Sequence, residues 1–299
     1  MPFVKAFVSS AHQNDINGYC PKNCIDRNQI RDTRFSMIGL KDIADRIYER
    51  KLASQIEYVP QHIAIIQDGN RRFAKEMGID IAAGHRLGAE KTMEVLEWAR
   101  DIGVKQITLY CFSTENFNRS EGELRDLFSL FMDKANETLN SLNEGVAPEK
   151  RIRIQMVGDR SLLPQDFLSK IEKVEEMTRD YNTYKINLAI AYGGRNEILC
   201  AAKSILKKVY SGELSADDID VDTVDENLYS DVSISPVDLI IRTGNEKRTS
   251  NFLPWLANGN KSAVYFCAPY WPMFRKIDLL RGIRLYDQRV RDLKQSKAQ

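Results

Sequence analysis

The amino-acid sequence predicts an α/β domain in which a mostly parallel sheet of about six strands is surrounded by helices. From His62 onward, short apolar runs alternate with longer amphipathic stretches. That alternation is typical of βαβ units, whose parallel sheet is covered on both faces. The chain has 299 residues, of which 43% are hydrophobic, so it can bury a substantial core. Residues 1–61 are predicted to form an N-terminal extension with one helix, and residues 62–299 the main domain.

The elements are predicted in order from hydrophobic periodicity. In the extension, Leu40, Ile43, Ala44 and Ile47 fall at helical spacing. The predicted strands are Ile63–Gln67, Ile107–Phe112, Ile152–Val157, Ile186–Tyr192, Leu239–Ile241 and Ala263–Cys267. The predicted helices are Ala89–Asp101, Glu121–Leu142, Gln165–Asn182, Arg195–Tyr210 and Asp278–Lys294. The acidic stretch Asp217–Glu226 is interpreted as a solvated loop or helix surface.

Composition excludes several classes of protein. The formal net charge is +1, which argues against nucleic acid or an anionic membrane as a bulk partner. The five cysteines are scattered, so we expect no disulfide framework and a reducing, cytoplasmic environment. No apolar run approaches the ~20 residues that span a bilayer, and the N-terminus lacks the apolar core of a signal peptide.

Polar and cationic residues follow nearly every predicted strand. In chain order these segments read DGNRR, STENFNR, GDR, GGRNE and RTGNEKRTSNF. Ligands of open parallel sheets bind outside the carboxyl ends of the strands. Because several such segments would converge on one edge of the sheet, the sequence predicts a ligand site there.

The residue types at this edge indicate phosphate. Five arginines can reach it, namely Arg71, Arg72, Arg119, Arg242 and Arg248. Guanidinium groups bind phosphate oxygens bidentately, and Gly69 and Asn70 let main-chain N–H groups approach an anion at a helix N-terminus. Five arginines exceed what one monophosphate needs, so two diphosphates are the better match. Neither a Walker sequence nor a G-x-G-x-x-G sequence after a strand is present, which disfavours a P-loop ATPase or a nicotinamide enzyme.

Asp68 is the carboxylate that follows the first strand, and two interpretations stay open. Beside diphosphates it would hold Mg²⁺, which takes one or two protein carboxylates and fills its shell with phosphate oxygens and water. Alternatively, it caps the next helix or pairs with an arginine. The helix after Arg119 is predicted to begin with a capping box of Ser120 and Glu123. Its apolar stripe, from Leu124 to Leu142, is either ordinary core or the wall of a channel for a prenyl chain.

Six blocks of sequence resemble the cis-prenyltransferases, the family of undecaprenyl and dehydrodolichyl diphosphate synthases. They are HIAIIQDGNRRFAK, GHRLGAEK, LYCFSTENFNRSEGEL, AYGGRNEI, DLIIRTGNEKRTSNFLPW and YFCAPYWPMF, and they span residues 62–275 in the expected order. The resemblance is nearest to archaeal members and to the eukaryotic catalytic subunit. It implies a hydrophobic tunnel that holds the tail of an allylic prenyl diphosphate. Isopentenyl diphosphate attacks that substrate in a Mg²⁺-dependent, chain-elongating reaction, and the polyprenyl diphosphate product is a lipid-carrier precursor.

The resemblance also implies a role for each site residue. Asp68 corresponds to the catalytic aspartate that engages Mg²⁺, and Asn116 to a residue usually assigned to proton handling, although an amide is a poor base and a diphosphate oxygen is the alternative. The implied substrate-binding residues are Gly69, Asn70, Arg71, Arg72, His85 and Arg119 for the allylic diphosphate, Phe73 and Phe117 for lining the allylic site, Ser113, Thr114 and Glu115 for further contacts, and Arg242, Arg248 and Ser250 for isopentenyl diphosphate.

Three departures from bacterial members bear on partners. Ile81 stands where they have an arginine, Ala263 where they have a glutamate that helps to hold the metal, and their R-x-G tail has no counterpart here. We therefore expect a dimer, preferably with a tail-bearing non-catalytic homologue and otherwise with a second copy. Peripheral membrane association would come through the product. Two alternative functions are prenyl transfer to a non-diphosphate acceptor and a non-catalytic partner subunit.

Overall fold

Six parallel strands form the central sheet of this computed structural model, which describes residues 43–145, 151–228, 234–257 and 262–298. The strands are β1 (His62–Ile66), β2 (Gln106–Ser113), β3 (Ile152–Val157), β4 (Tyr184–Tyr192), β5 (Leu239–Arg242) and β6 (Ala263–Phe266). Their order across the sheet is β3-β4-β2-β1-β5-β6, and every neighbouring pair is parallel. The predicted α/β fold is therefore confirmed, and β1 lies between β2 and β5.

Eight helices surround the sheet within the described residues. They are α1 (helical over residues 43–54), α2 (Asn70–Met77), α3 (Ile81–Ile102), α4 (Glu121–Asn143), α5 (Gln165–Thr178), α6 (Gly194–Ser211), α7 (Val221–Asn227) and α8 (Lys276–Ala298). Along this part of the chain, none of them has both the length and the apolar character to cross a membrane.

The two faces of β1 lead into separate hydrophobic cores. Ile63 and Ile65 belong to a core with Leu96 of α3 and Ile283 of α8. Ala64 and Ile66 belong to a second core, which includes Ala201 of α6. A strand buried on both faces reads as a continuous apolar run, which is how β1 appears in the sequence.

The helices differ from the prediction mainly at α3, which begins at Ile81 rather than at Ala89. Asp80 caps it by accepting a hydrogen bond from the N–H of Ala82. Gly84 and Gly88 obscured this first part, because glycine weakens a helical pattern. Both are needed for packing against α2, since an added Cβ would lie 2.7 Å from the carbonyl oxygen of Asn70 at Gly84 and 2.4 Å from its side-chain oxygen at Gly88.

Part of the acidic stretch is helical, as one of its two interpretations allowed. Residues Val221–Asn227 form α7, and Asp220 caps this helix by accepting from the N–H of Thr223. At the other end of the chain, α1 packs through Leu52 against Ile277 and Leu280 of α8. The predicted helical residue Leu40 lies outside the described residues, and the boundary at residue 61 stays a prediction.

Glu197 is a buried carboxyl group in the first turn of α6. Only 1% of the residue is exposed, and its Oε2 accepts a hydrogen bond of 2.5 Å from the hydroxyl of Tyr192. Burial raises the pKa of Glu197 from 4.5 to about 7, while the Tyr192 hydrogen bond opposes that rise. The carboxyl group therefore holds a proton in the folded chain at pH values where the unfolded chain has released it.

We expect this pKa difference to make stability depend on pH. The stabilisation from proton binding is complete below about pH 4.5 and is lost as the pH rises to about 7, a change of up to roughly 3 kcal/mol. Glu197→Gln removes the titration. Urea unfolding between pH 5 and 8 should show the wild type losing free energy of unfolding relative to this variant up to about pH 7, then no further. A difference that stays constant with pH would contradict this assignment.

Candidate active site

Three adjacent strand ends meet at one polar cleft of about 1040 Å³. β1, β2 and β5 are parallel neighbours, so Asp68 after β1, Ser113 at the end of β2 and Arg242 at the end of β5 share one edge of the sheet. The cleft is lined by all the predicted site residues except Phe73, Thr114 and Phe117; those present are Asp68, Gly69, Asn70, Arg71, Arg72, His85, Ser113, Glu115, Asn116, Arg119, Arg242, Arg248 and Ser250.

Asp68 pairs with two arginines at the centre of this cleft. Its Oδ1 lies 3.0 Å from Nη2 of Arg72, and its Oδ2 lies 2.8 Å from Nη2 of Arg242. Arg242 is only 3% exposed, and its Nη1 donates to the carbonyl oxygen of Arg248 at 2.6 Å and to the hydroxyl of Ser250 at 2.5 Å. Of the two non-metal interpretations of Asp68, arginine pairing is present. Helix capping is absent, because Gly69 is the N-cap of α2.

The main chain around Asp68 is held equally firmly. Its carbonyl oxygen accepts hydrogen bonds from the hydroxyl of Thr243 at 2.7 Å and from the N–H of Trp271 at 3.0 Å. Gly69 has a φ of 113°, and a Cβ there would lie 2.7 Å from Cδ1 of Tyr270. Only glycine fits both the dihedral angle and the close approach. Thr243, Tyr270 and Trp271 thus position the aspartate, and sequence reasoning did not single them out.

Arg72 and Arg242 form a first group of basic residues around Asp68. A second such group, made of Arg71, His85 and Arg119, surrounds Glu123. Its Oε1 lies 3.1 Å from Nη1 of Arg119, 3.4 Å from Nε of Arg71 and 3.5 Å from Nε2 of His85. The predicted capping box is therefore only half present. Ser120 accepts from the N–H of Glu123, but the carboxylate lies among the three basic side chains. The four-residue spacing from Arg119 was the available sequence signal for this contact.

Burial and neighbouring charge govern protonation in this second group. Burial lowers the pKa of His85, the charge of Arg119 lowers it further, and the hydrogen bond and charge of Glu123 oppose the shift. His85 is therefore mainly neutral at pH 7. Burial also lowers the pKa of Arg119, although a guanidinium group keeps its proton throughout the physiological range.

Two buried polar atoms of residues that line the cleft lack a hydrogen-bond partner in the protein. Within the described residues, these are Oδ1 of Asn70 and Nε of Arg242. An unsatisfied buried polar group costs about 1–3 kcal/mol. Both atoms therefore favour a polar environment at the cleft.

An apolar cavity of about 430 Å³ adjoins the polar cleft. The two share residues Gln67, Asn70, His85, Cys111 and Leu127 in their linings. The cavity continues between α3 and α4 over the sheet, where Leu96, Leu109, Phe131, Phe167 and Ile186 are among its walls. It reaches Tyr184, the first residue of β4 and hence at the opposite edge of the sheet. Part of the apolar stripe of α4 therefore lines a cavity, while Leu139 and Leu142 pack in an ordinary core.

Three predicted site residues lie outside the polar cleft. Phe73 is half-buried on α2 and lines neither of these two cavities. Phe117 packs edge-on against Phe112, with 4.8 Å between ring centroids. The hydroxyl of Thr114 donates to Glu115, and a Cβ on Gly193 would lie 2.7 Å from it. These three residues shape the surroundings of the cleft rather than its lining.

Ile81 and Ala263, the two substituted positions among the departures from bacterial members, lie in very different places. Ile81 lies at the start of α3 and lines the cleft. Ala263 begins β6 and pairs in register with Leu239, whereas Arg242 pairs with Phe266. Position 263 is thus three residues, or about 10 Å along the strand, from the edge that carries Asp68. A glutamate at position 263 would not reach this chain's own aspartate from there.

Asp68 suits a magnesium ion that a diphosphate also holds. Throughout the described ranges, no group of three or more His, Cys, Asp or Glu side chains could bind a metal by itself. Mg²⁺ needs only one or two protein carboxylates when phosphate oxygens and water complete its shell. The carboxylate of Asp68 is 27% exposed, so it can face such an ion if one of its arginine contacts is exchanged.

Comparisons with known proteins agree with this geometry. A family model described as "Putative undecaprenyl diphosphate synthase" matches residues 66–294. Proteins from Archaeoglobus fulgidus and Halobacterium salinarum are 48% and 46% identical over 83% and 87% of this chain, and over 97% and 84% of their own lengths. Both are named tritrans,polycis-undecaprenyl-diphosphate synthase (geranylgeranyl-diphosphate specific).

Solved structures are similar as well. Lavandulyl diphosphate synthase from Lavandula x intermedia, in complex with dimethylallyl diphosphate, is 33% identical with a TM-score of 0.70, covering 77% of this chain and 95% of that one. A probable undecaprenyl diphosphate synthase from Campylobacter jejuni is 29% identical with a TM-score of 0.60, covering 77% of this chain and 96% of that one.

The contacts around Glu123 allow a prediction of how the pKa of His85 responds to substitution. Proton NMR should resolve its imidazole readily, because the chain has only three histidines. We expect a pKa below 6.5 in the wild type and a still lower pKa in Glu123→Gln, which removes the opposing hydrogen bond and charge. His62, whose ring nitrogens contact Ser235 and Thr108, is the internal control. A His85 pKa that rises or stays unchanged in this variant would show that Glu123 does not act on it.

Proposed function

The chain belongs to the cis-prenyltransferase family, and we propose that it extends geranylgeranyl diphosphate with isopentenyl diphosphate in a Mg²⁺-dependent reaction. The single observation that carries this proposal is a cleft with two separate groups of arginines beside an apolar cavity. Two diphosphates would occupy the cleft, and one hydrocarbon tail would occupy the cavity. The primer is proposed because the archaeal relatives are named as specific for geranylgeranyl diphosphate.

The allylic diphosphate is assigned to the group around Glu123. His85 lines both the cleft and the apolar cavity, and Arg71 and Arg119 meet it at Glu123. The N-terminus of α2 adds main-chain N–H groups without intrahelical acceptors. A substrate bound there would direct its tail between α3 and α4. Tyr184 then lies at the far end of the tail's path.

Isopentenyl diphosphate is assigned to Arg248, Ser250 and Arg242. The side chain of Arg248 is 67% exposed, and within the described residues its ion pair is with the partly exposed Glu246, so it can turn toward an anion. Arg242 is buried and already bonded to Asp68, Arg248 and Ser250. It therefore holds the shape of the phosphate site and adds its positive charge.

The reaction breaks the allylic C1–O bond, forms a bond from the isopentenyl double bond to C1, and releases one proton. When bound, Mg²⁺ stabilises the negative charge on the departing diphosphate; Asp68 would hold it. Arg71, Arg72 and Arg119 supply preorganised positive charge to the same group. Oδ1 of Asn116 accepts from the N–H of Ser113 at 3.2 Å, so we assign the proton to a diphosphate oxygen and give Asn116 an orienting role.

The product, partner and location complete the proposal. A polyprenyl diphosphate would serve as a lipid-carrier precursor, and its apolar chain would draw a cytoplasmic enzyme to the membrane surface. We propose that the chain forms a dimer. The preferred partner is a tail-bearing non-catalytic homologue, and a second copy of this chain is the alternative. The reason is that Ile81, which lines the cleft, stands where bacterial members have an arginine, so a partner would have to supply that cationic contact. The native mass of the purified chain, measured with its turnover, separates these arrangements.

The two alternative functions have less support. A non-catalytic partner subunit would not need the cleft's intact set of Asp68, Asn116, Arg242 and Arg248. If the acceptor carried no diphosphate, Arg248 and Ser250, which are residue types that bind phosphate, would have no role. Chain elongation uses every one of these residues.

The test supplies labelled isopentenyl diphosphate with geranyl, farnesyl or geranylgeranyl diphosphate and sizes the products. We expect Mg²⁺-dependent elongation, most efficient from geranylgeranyl diphosphate. Asp68→Asn should lower turnover by about a hundredfold or more, or ~3 kcal/mol in the barrier, while leaving the shape of residue 68 in place. Elongation only from another primer would contradict the primer assignment. Failure with every primer and with an added partner homologue would contradict chain elongation.

Separate titrations of the two substrates test the two phosphate assignments. Arg248→Ala should raise KM for isopentenyl diphosphate about tenfold or more, since a charge-assisted contact is worth ~1.5–3 kcal/mol, with little effect on the allylic KM. Arg119→Ala should do the reverse. Arg125→Ala is the matched control, because Arg125 is 74% exposed on α4 and its ion pair, in the part of the chain that the structure describes, is with Glu121 of the same helix. The opposite pattern of KM changes would mean that the two sites are exchanged.

A further inference from the structure

We infer that Asn251 is a positioning residue that holds the isopentenyl-diphosphate loop against the loop after β2. The first of these, residues 248–253, is called the clamp loop here. The second, called the β2 loop, is the short 3-10 segment Thr114–Asn118 that follows β2. The inference rests on the proposed function, because it concerns how the two proposed substrates are aligned. The inference adds Asn251 to the residues proposed for this reaction, as one that acts by holding other residues in position.

The clamp loop has a backbone that cannot hold its shape unaided. Ser250, Asn251 and Leu253 have φ values of 49°, 60° and 49°. Left-handed conformations cost non-glycine residues about 1–2 kcal/mol each, and only asparagine and aspartate visit them with ease. Such conformations persist where surrounding contacts over-determine them. The contacts that hold this loop therefore decide where Arg248 and Ser250 lie.

Asn251 makes three of those contacts, and they reach two other elements. Its carbonyl oxygen accepts from the N–H of Gly194 at 2.8 Å, and its Oδ1 accepts from the N–H of Arg195 at 2.8 Å. Its Nδ2 donates to Oε1 of Glu115 at 3.3 Å. A Cβ on Gly194 would lie 2.9 Å from the Asn251 carbonyl oxygen, so α6 begins with glycine where the clamp loop approaches it.

The remaining contacts hold the clamp loop from the core side. Arg242 bonds to Arg248 and Ser250, the hydroxyl of Tyr110 donates to the carbonyl oxygen of Ser250 at 3.3 Å, and the Phe252 ring stacks on Tyr110 at 4.3 Å between centroids. These contacts fix the depth of the loop. Asn251 supplies the link from the loop to Glu115, and so to the side of the cleft where the allylic substrate is proposed.

This link also controls a negative charge inside an anion-binding cleft. Glu115 lines the cleft. Partial burial raises its pKa, but hydrogen bonds from its own main chain, Ser113, Asn251 and Thr114 outweigh burial, so the net shift is downward. The group is a carboxylate at neutral pH. With the amide of Asn251 bonded to it, the carboxylate stays turned toward the clamp loop.

The consequence is alignment of the two reacting carbons. The bond between C1 and the isopentenyl double bond forms only when both are within about 3–3.5 Å. Isopentenyl diphosphate is assigned to the clamp loop, and the allylic diphosphate to the group around Glu123, whose Arg119 ends the short helical segment that contains Glu115. A residue that joins the loops acts on turnover as well as on binding. A residue that merely stabilised the fold would change neither after the protein had folded.

The test uses four variants at two residues. Asn251→Gly keeps the left-handed backbone without strain and removes both side-chain contacts. Asn251→Asp keeps the acceptor for Arg195 and replaces the donor to Glu115 with a repelling carboxylate. The double variant Asn251→Asp with Glu115→Gln restores a donor–acceptor pair in the reverse direction, and Glu115→Gln alone completes the double-mutant cycle. Each is measured for kcat, for both KM values, for binding of isopentenyl diphosphate by calorimetry and for thermal unfolding.

We expect Asn251→Gly to lower kcat about tenfold and to weaken isopentenyl diphosphate binding severalfold, with the allylic KM within twofold of wild type. Asn251→Asp should be worse, and the double variant should recover at least part of that loss. Unchanged kcat and binding in Asn251→Gly, or a change in thermal unfolding alone, would overturn the inference. The inference would also be overturned if the loss of kcat in the double variant equalled the product of the losses in Asn251→Asp and Glu115→Gln.

Failure of the proposed function remains distinguishable from failure of this inference. If the wild type elongates no primer, the proposed function fails. The calorimetric comparison of wild type with Asn251→Gly then still decides the positioning role. Equal affinity for isopentenyl diphosphate, or no binding to either protein, overturns it.

Discussion

The buried ion pair between Asp68 and Arg242 is the contact on which the rest of the site depends. Arg242 is only 3% exposed, and a buried guanidinium group without a counter-charge would destabilise the fold strongly. Its other hydrogen bonds go to Arg248 and Ser250, so one side chain joins the end of β1 to the clamp loop. The position of the clamp loop is therefore tied to that of Asp68.

Positive charge in the cleft is partly compensated before any substrate binds. Asp68 lies between Arg72 and Arg242, and Glu123 lies among Arg71, His85 and Arg119. Several cations this close together would repel one another, and each carboxylate lowers that repulsion while fixing side-chain geometry. Positive groups that are already oriented can stabilise a departing diphosphate without reorganising, which is the usual source of a large electrostatic contribution to catalysis.

The boundary between polar cleft and apolar cavity follows from how the helices meet the sheet. Gln67, Asn70 and His85 line both spaces, and beyond them the cavity walls are chiefly apolar. Gly84 and Gly88 let α2 lie so close to α3 that side chains there would collide with Asn70. A substrate with a charged head and a long hydrocarbon tail matches this division of the space.

The sequence by itself determined the element types and the parallel sheet, because these follow from local periodicity, and most of the cleft lining, which follows from the residues just beyond each strand and from the family resemblance. All six strands lie within two residues of the prediction, and thirteen of sixteen predicted site residues line the cleft. Helix α3 was too short in the prediction because two glycines needed for packing weakened its periodic signal.

Only the tertiary structure decided which side chains meet. It placed Glu123 among three basic residues, left Phe73 outside the lining of both cavities, and put Ala263 at the opposite edge of the sheet from Asp68. It also brought Asn251 to Glu115, which lies 136 residues earlier in the chain. Such contacts depend on strand order and on the packing of distant segments, and no local periodicity carries that information.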